Sequence, residues 1–456
     1  MSEMFLPQWV RDCLDRLHRA GYAAYAVGGC VRDACLGKMP NDYDLCTAAL
    51  PEQTQQVFGE FKLVLAGVKH GTVGVITEGG VVEITTFRSE GGYEDNRHPD
   101  WVHFVSDIED DLSRRDFTIN AMAYSPKQGF YDPFGGREDL KNGILRTVGD
   151  PETRLREDAL RILRGVRFAV RFHLKVEENT LNAMVREAEL LDNLARERVF
   201  EELCRLLPLV SCEDLKTFAP IITAAVPELK PMVGFDQKNP HHAYDLYTPT
   251  ALVTQQVPQD LTLRWAALLH DVGKPGTFTQ DASGQGHFYG HDQAGARLAD
   301  RILRQLKAPT VLREQVVTLV SQHMNLLTED RKLLRRRISR LGFDLTEKLL
   351  SLQLADRCSK GTDPGDALQE FERIRTCMEK LKEEEGCLKL RDLALDGNDL
   401  MALGFQGKAI GDCLNGLFSL VLDEKIPNER QALIDRAKSI LKEMNDKSCR
   451  EDPCRP

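Results

Sequence analysis

Asp42 and Asp44, in the segment DYDL, are the residues whose type and spacing first suggest chemistry. On an extended chain residues i and i+2 point to one face, so the two carboxylates project together and Tyr43 points the other way. Like charges held that close are costly unless a cation neutralises them. Hard divalent ions with oxygen ligands do this, and Mg2+ bridges carboxylates to nucleotide phosphates. Two such ions serve an in-line phosphoryl displacement, one activating the attacking hydroxyl and one steadying the triphosphate. A lone DxD is usually an exposed turn. This one closely follows GGCVRD, in which Gly28 and Gly29 allow close backbone approach to a phosphate and Arg32 adds a charged fork.

Three more constellations carry reactive groups. LSRRDFTINAMAY, read as a helix, puts Asp116 and Asn120 on one face, with Arg115 beside them to meet a phosphate and Asp116 to accept from a ribose hydroxyl. REDALRILRGVRFA places Asp158 and Arg161 at i and i+3, and Arg164 and Arg167 continue the stripe. The plain reading of that helix is a set of ion pairs worth little each. Third, His270-Asp271 ends an apolar helix and is followed by His287, His291, His323 and Asp356. A His–Asp pair binds a divalent metal when further ligands approach. Buried histidines satisfied by hydrogen bonds are the competing reading.

These groups need elements to hold them. Residues 1–140 alternate helix and strand, with β-rich runs at 23–27, 42–46, 61–65, 72–76 and 81–87, punctuated by Gly71 and Gly79-Gly80. Beyond Asp139 the periodicity is helical. The fold class expected is α+β: a mixed sheet with helices at 1–140, then an all-α remainder divided at turn-rich breaks into 141–235, 236–362 and 363–456.

Composition narrows the class. Hydrophobic residues at 42% and charged residues at 29% make an ordinary globular chain, not a disordered one. No apolar run spans a bilayer and the N-terminus reads as an amphipathic helix, so no membrane partner is expected and the location is cytoplasmic by default. The 12 cysteines have no zinc spacing. A net charge of −10 argues against a general nucleic-acid coat, which leaves local basic patches such as Lys332, Arg335, Arg336, Arg337 and Arg340. Each patch taken singly reads as a solvated helix face. Nothing in the sequence fixes an oligomeric state.

GGCVRD followed by DYDL resembles the active-site signature of polymerase-β-like nucleotidyltransferases, and more narrowly the class II tRNA CCA-adding enzymes and bacterial poly(A) polymerases. The resemblance implies a nucleotidyltransferase head at 1–140, a helical neck at 141–235, an HD-like body at 236–362 and a tail at 363–456 that contacts tRNA. It makes Asp42 and Asp44 the holders of catalytic Mg2+. Glu83, on a nearby strand with the right parity, reads equally as a third carboxylate or as part of a solvated strand face. Gly29, Arg32 and Arg115 bind the triphosphate, and Asp158 and Arg161, with Arg164 and Arg167 nearby, read the incoming base. DPFGGREDL resembles the family's hinge motif, and LARERVFEEL the helix supporting the base-reading one. FRSEGGYEDNRHPDWVHFVSD resembles the loop used in switching from C to A, which argues against a CC-only product.

The implied reaction adds or repairs the 3′-terminal CCA of a tRNA 3′ end from CTP and ATP, without a template and with release of pyrophosphate. An A-adding enzyme or poly(A) polymerase is the alternative. LAGVKHGTVGV stands where the poly(A) polymerases of gamma-bacteria typically carry a GRRF-type segment, and this favours tRNA. The order of His270, Asp271, His291, His323 and Asp356 resembles the HD superfamily of metal-dependent phosphohydrolases, the second alternative. That family expects a histidine where Pro249 stands, and His242 lies about two helical turns upstream, so a structural or vestigial domain is expected. LRDLALDGNDLMALGFQGKAIGDCL resembles the family's tail, with Gln406 where a proline is usual and Lys408 placed to touch an RNA backbone.

Overall fold

The computed structural model describes residues 3–92, 101–237, 245–359, 364–384 and 386–448. The chain gathers into two compact units, Met1–Val233 with Arg301–Pro309, and Gly234–Asp300 with Thr310–Pro456. The division after Val233 lies beside the boundary expected after residue 235. The boundary expected after 140 does not separate compact units, and the one after 362 falls at 360–363, outside the described residues.

The first unit is built on a seven-stranded sheet. Its strands run in the order Leu63–Val64, Thr72–Thr77, Gly80–Thr86, Asp44–Thr47, Ala24–Val27, Ala123–Ser125, Gly129–Tyr131. All neighbours are antiparallel except Asp44–Thr47 with Gly80–Thr86, so the sheet is mixed. Ala24–Val27 is buried throughout, as a central strand should be. Helix Gln8–Arg19 sets Val10, Cys13, Leu14 and Leu17 into the core, the spacing of an amphipathic helix. Gly79, in the turn of the next hairpin, passes so close to Trp9 that a Cβ there would lie 2.2 Å from the indole nitrogen.

Two expected helices differ in the structure. LSRRDFTINAMAY is not one helix: helix Ile108–Ser113 ends, and Thr118–Asn120 is a single 3-10 turn. The backbone bonds go elsewhere, because Phe117 bridges Thr147, Thr118 N donates to Arg146 O at 2.9 Å, and Val148 N donates to Asp116 O at 3.2 Å. Phe117 is fully buried, and its burial outweighs the local helical pattern. REDALRILRGVRFA is likewise two helices, Pro151–Glu157 and Leu160–Phe172. Asp158 sits extended in the break, and its Oδ1 accepts from Leu160 N at 3.1 Å at the start of the second helix.

The second unit is helical, from Tyr247–Gln256 and Leu261–Leu269 through Thr310–Gln322, Arg331–Leu341 and Phe343–Cys358 to Arg430–Ser448, with one short hairpin at Thr279–Gln280 and Gly286–His287. No helix among the described residues is long and apolar enough to cross a membrane.

Candidate nucleotide site and a histidine–aspartate cluster

The sheet brings the sequence motifs to one cavity of about 570 Å3. Asp44 starts its strand opposite Val27, so GGCVRD and DYDL meet at one strand end. Asp42 and Asp44 both line the cavity, with Tyr43 turned inward against Trp9, and Asp42 precedes the strand instead of lying on it. In the parallel register Glu83 stands beside Asp44. Asp44 faces solvent yet is crowded by protein. Burial, Asp42 and Glu83 push its carboxyl up to about 6, against the pull of Arg115. A group of carboxylates that resists holding its own charge fits hard divalent cations, whose oxygen ligands these are.

Gly28 has φ of 72° and a Cβ there would lie 2.8 Å from Arg115 Nη1, so glycine is needed for conformation and for the approach of that arginine. Arg32 is buried and donates through Nη1 to Asn120 Oδ1 at 2.6 Å. Its Nε and Nη2 donate to Asp33 Oδ1 at 2.9 and 2.7 Å, and its guanidinium stacks on Phe172. Asn120 Nδ2 donates to Asp116 Oδ1 at 3.0 Å, so these two residues meet although no helix joins them. Asp116 Oδ2 accepts from Arg164, leaving both of its oxygens engaged.

Asp158 and Arg161 both line the cavity but are not paired with each other. Arg161 Nη1 donates to Glu157 Oε2 at 2.6 Å and to Arg154 O at 2.8 Å, and its Nη2 donates to Arg114 O at 3.0 Å. Asp158 Oδ2 accepts from Arg198 Nη2 at 3.1 Å, and Arg198 Nη1 is buried with no hydrogen-bond partner. Arg167 does not belong to the site. It turns to Glu202 on helix Arg196–Leu206, and both groups are buried. Six residues after Arg161, it lies about 120° around the helix, against the neighbouring helix and away from the cavity.

Asn41, Arg114, Phe168, Arg171 and Arg198 also line the cavity and were not singled out as site residues from the sequence. Arg198 lies within LARERVFEEL, but its partner Asp158 is 40 positions away, so no local spacing marks it. Arg114 joins several parts: it donates to Asp111 Oδ1 at 2.8 Å and Glu90 Oε1 at 3.2 Å, while its carbonyl holds Arg161. Glu90 belongs to a hairpin of Arg88–Gly91 with Trp101–Phe104, the flanks of the expected switching loop. Residues 93–100 of that loop lie outside the described residues. Many arginines around two carboxylates suit a polyanion such as a triphosphate with its cations.

In the second unit Asp271, His291 and His323 bring ligand atoms within 4.8 Å of one another. His270 Nε2 lies 3.3 Å from Asp271 Oδ2 and 3.8 Å from Asp356 Oδ1. His270, His291 and His323 each donate Nδ1–H to a backbone carbonyl, of Ala267, Phe288 and Val320, at 2.7, 2.7 and 2.6 Å. The Nε2 atom of each ring is therefore the one left for a further partner, as an acceptor in the neutral rings of His291 and His323, whereas Asp271 and Asp356 raise His270 against its burial. Burial first, and the neighbouring His270, hold His323 down at about 4, so that ring is neutral. His291 and His323 set Nε2 atoms 3.3 Å apart, and His270 Nε2 is buried without a hydrogen bond. Facing lone pairs and an orphaned nitrogen are what a divalent metal with imidazole and carboxylate ligands would satisfy. His287 is not part of this group; it pairs with Asp281 Oδ2 at 2.8 Å. Pro249 sits in the first turn of helix Tyr247–Gln256, where a missing N–H is tolerated, and it offers no ligand. His242 lies outside the described residues.

The chain matches the family model for the Poly A polymerase head domain over residues 24–146, that for the "Probable RNA and SrmB- binding site of polymerase A" over 173–209, and that for the HD domain over 250–361. It is 33% identical over 440 residues to the CCA-adding enzyme of Latilactobacillus sakei, covering 95% of this chain and 99% of that one. It is 49% identical over 194 residues to the CCA-adding enzyme of Ligilactobacillus salivarius, covering 42% of this chain and 48% of that relative. Among solved structures, the CCA-adding enzyme of Bacillus stearothermophilus in complex with CTP superposes with a TM-score of 0.71 at 26% identity, covering 97% of this chain and 100% of that one.

Proposed function

The chain belongs to the family of CCA-adding enzymes, and from that membership we propose that it builds or repairs the 3′-terminal CCA of tRNA from CTP and ATP, without a template and in the cytoplasm. The observation that carries this reading is the convergence of Asp42, Asp44, Arg32, Arg115, Asp158 and Arg161 on one cavity. Asp42 and Asp44 would hold Mg2+, which when bound lowers the barrier to attack by the tRNA 3′-hydroxyl on the α-phosphate and to departure of pyrophosphate. Gly29 leaves room for the triphosphate, and Gly28 for the approach of Arg115. Arg115 and Arg32 supply donors to its oxygens, and Asn120 and Asp33 fix the plane of Arg32.

Asp158 and Arg161 choose the base. Cytosine and adenine both present an exocyclic amino group, whereas uracil presents a carbonyl oxygen there. A carboxylate only accepts, so Asp158 favours the amino bases, and the guanidinium of Arg161 answers a ring acceptor. Arg164 stays in the wall through Asp116.

The test is incorporation of labelled CTP and ATP on tRNAs ending before the first C, after C and after CC. CCA completion on all three is expected, with complete loss in Asp42→Ala. Addition of A alone to tRNA ending in CC, with no C incorporation, would replace this reading with an A-adding enzyme.

A second reading attaches to the histidine–aspartate cluster because of the orphaned His270 Nε2. His270, Asp271, His291, His323 and Asp356 would hold a divalent metal there. Metal content of the purified full chain, compared with His323→Ala, tests it; equal content in both would refute it.

A further inference from the structure

Helix Arg331–Leu341 carries a basic run whose members have different fates. Arg335 is buried and donates to the carbonyls of Leu422 and Cys387 at 3.1 and 3.4 Å, which makes it a structural tie. Arg336 is neutralised by Asp423, with Nε at 2.7 Å from Oδ1 and Nη2 at 2.9 Å from Oδ2, and Lys332 leans on the same carboxylate at 3.2 Å. Arg337 and Arg340 differ. Arg337 is half-buried, and its Nη1 meets only the neutral amide oxygen of Gln322. Among the described residues no carboxylate pairs with either Arg337 or Arg340. Burial, and then the neighbouring Arg340, lower the Arg337 guanidinium from its usual value, the direction expected of a cation without its counter-ion.

These two arginines line a cavity of about 280 Å3 with Arg336, Leu326 and Leu333. Leu333, Arg336, Arg337 and Arg340 fall at i, i+3, i+4 and i+7, one stripe of the helix. Leu326 and Leu333 expose 59% and 54% of their surface beside the guanidinium groups. In a chain of net charge −10, where arginines are commonly paired, two unpaired neighbours in a concave site mark an anion position. A small free anion would use only the charges. The apolar rim adds a surface for ribose and base faces, which a phosphate-linked chain carries.

We propose that the pocket at Arg337 and Arg340, in the second unit, binds the phosphate backbone of the tRNA substrate. The assignment rests on the tRNA reading above. Each arginine contacts a phosphate and releases counter-ions, so the contact supplies affinity and register but no sequence preference.

The experiment uses the full chain with Arg337→Gln/Arg340→Gln and, beside it, Arg337→Lys/Arg340→Lys. Glutamine keeps helix propensity, and matched thermal melts check the fold. Equilibrium binding of tRNA lacking CCA is measured over a salt series, together with kcat and KM for CMP incorporation. The glutamine variant should bind about tenfold more weakly near physiological salt, with the salt slope reduced by about 1 to 2. KM for tRNA rises in step, kcat at saturating tRNA is unchanged, and the lysine variant recovers most of the slope. Unchanged affinity and slope, in a protein whose wild type binds tRNA and adds nucleotides, overturns the pocket and leaves the catalytic reading standing. Weaker binding with an unchanged slope also overturns it, since packing and not charge would be responsible. A wild type that binds no tRNA and adds no nucleotide refutes the catalytic reading itself, and the pocket with it.

Discussion

Arg164 closes Nε and Nη2 on a single oxygen of Asp116, at 3.0 and 2.6 Å, across 48 positions of sequence. The pair ties the segment leaving the sheet to the helix that carries Arg161. The other Asp116 oxygen accepts from Phe117 N at 2.8 Å and Asn120 Nδ2 at 3.0 Å, so one carboxylate joins Arg164, Asn120 and, through Asn120, Arg32.

That joint should show in acid unfolding. Burial alone would raise the Asp116 carboxyl, but Arg164 and the Asn120 hydrogen bond outweigh it and hold it at about 2. A folded value below the unfolded one means stability that is present in full above about pH 4 and lost as pH falls toward 2. The magnitude is about 2 kcal/mol, an upper figure because Arg164 is partly exposed. Chemical unfolding of the wild type from pH 5 to 2 should therefore lose more stability than Arg164→Met does over the same range. Parallel pH curves would sink the claim.

Asp44 makes the opposite kind of statement. Its carboxyl is raised by burial and by Asp42 and Glu83, so the charged form strains the metal-free protein. Asp44→Asn should raise the melting temperature in the absence of metal while lowering nucleotide incorporation by about a thousandfold or more, since the proposed two-metal site would lose a ligand. The two readouts moving in opposite directions is the diagnostic result. A variant that is less stable as well as inactive would point to a structural role.

What is legible in the sequence follows from how far each argument reaches along the chain. Asp42 and Asp44 are legible because an extended segment fixes their common side within three residues. The mixed sheet is legible from short apolar runs between glycines. Asp158 is not: its partner Arg198 lies 40 positions away, and its carboxylate also accepts from Leu160 N across a helix break that the i, i+3 spacing does not show. Arg167 reads as part of a basic stripe, yet helix Arg196–Leu206 claims it through Glu202. Phe117 defeats the helical pattern around it by pairing with Thr147. The histidine–aspartate cluster is legible as an order of residues, but the inward-facing Nε2 atoms depend on backbone carbonyls that no spacing reveals.

Glu90 gives a test of how the hairpin bears on base choice. Its carboxylate holds Arg114, and the Arg114 carbonyl holds Arg161. Glu90→Gln removes the charge and keeps the shape. Arg114 keeps Asp111, so folding should be little changed. The ratio of CTP to ATP incorporation on tRNA ending in CC should shift by about three- to tenfold, the equivalent of about 1 kcal/mol at Arg161, proposed above to read the base. An unchanged ratio would confine Glu90 to holding the hairpin.

Arg198 is a positioning residue for Asp158. With Nη2 on Asp158 Oδ2 and Nη1 buried without a partner, it fixes which way that carboxylate faces. Arg198→Ala would leave Asp158 free to turn, and the contact to an exocyclic amino group would lose its geometry. The kcat/KM for CTP and ATP should fall about 10- to 100-fold, while incorporation of UTP falls less, because uracil never offered that amino group. Discrimination against UTP therefore drops. Arg198→Lys keeps the charge but not the planar fork, and should recover part of the discrimination. Equal losses for CTP, ATP and UTP would mean that Arg198 supports the helix in general and does not orient Asp158 toward the base.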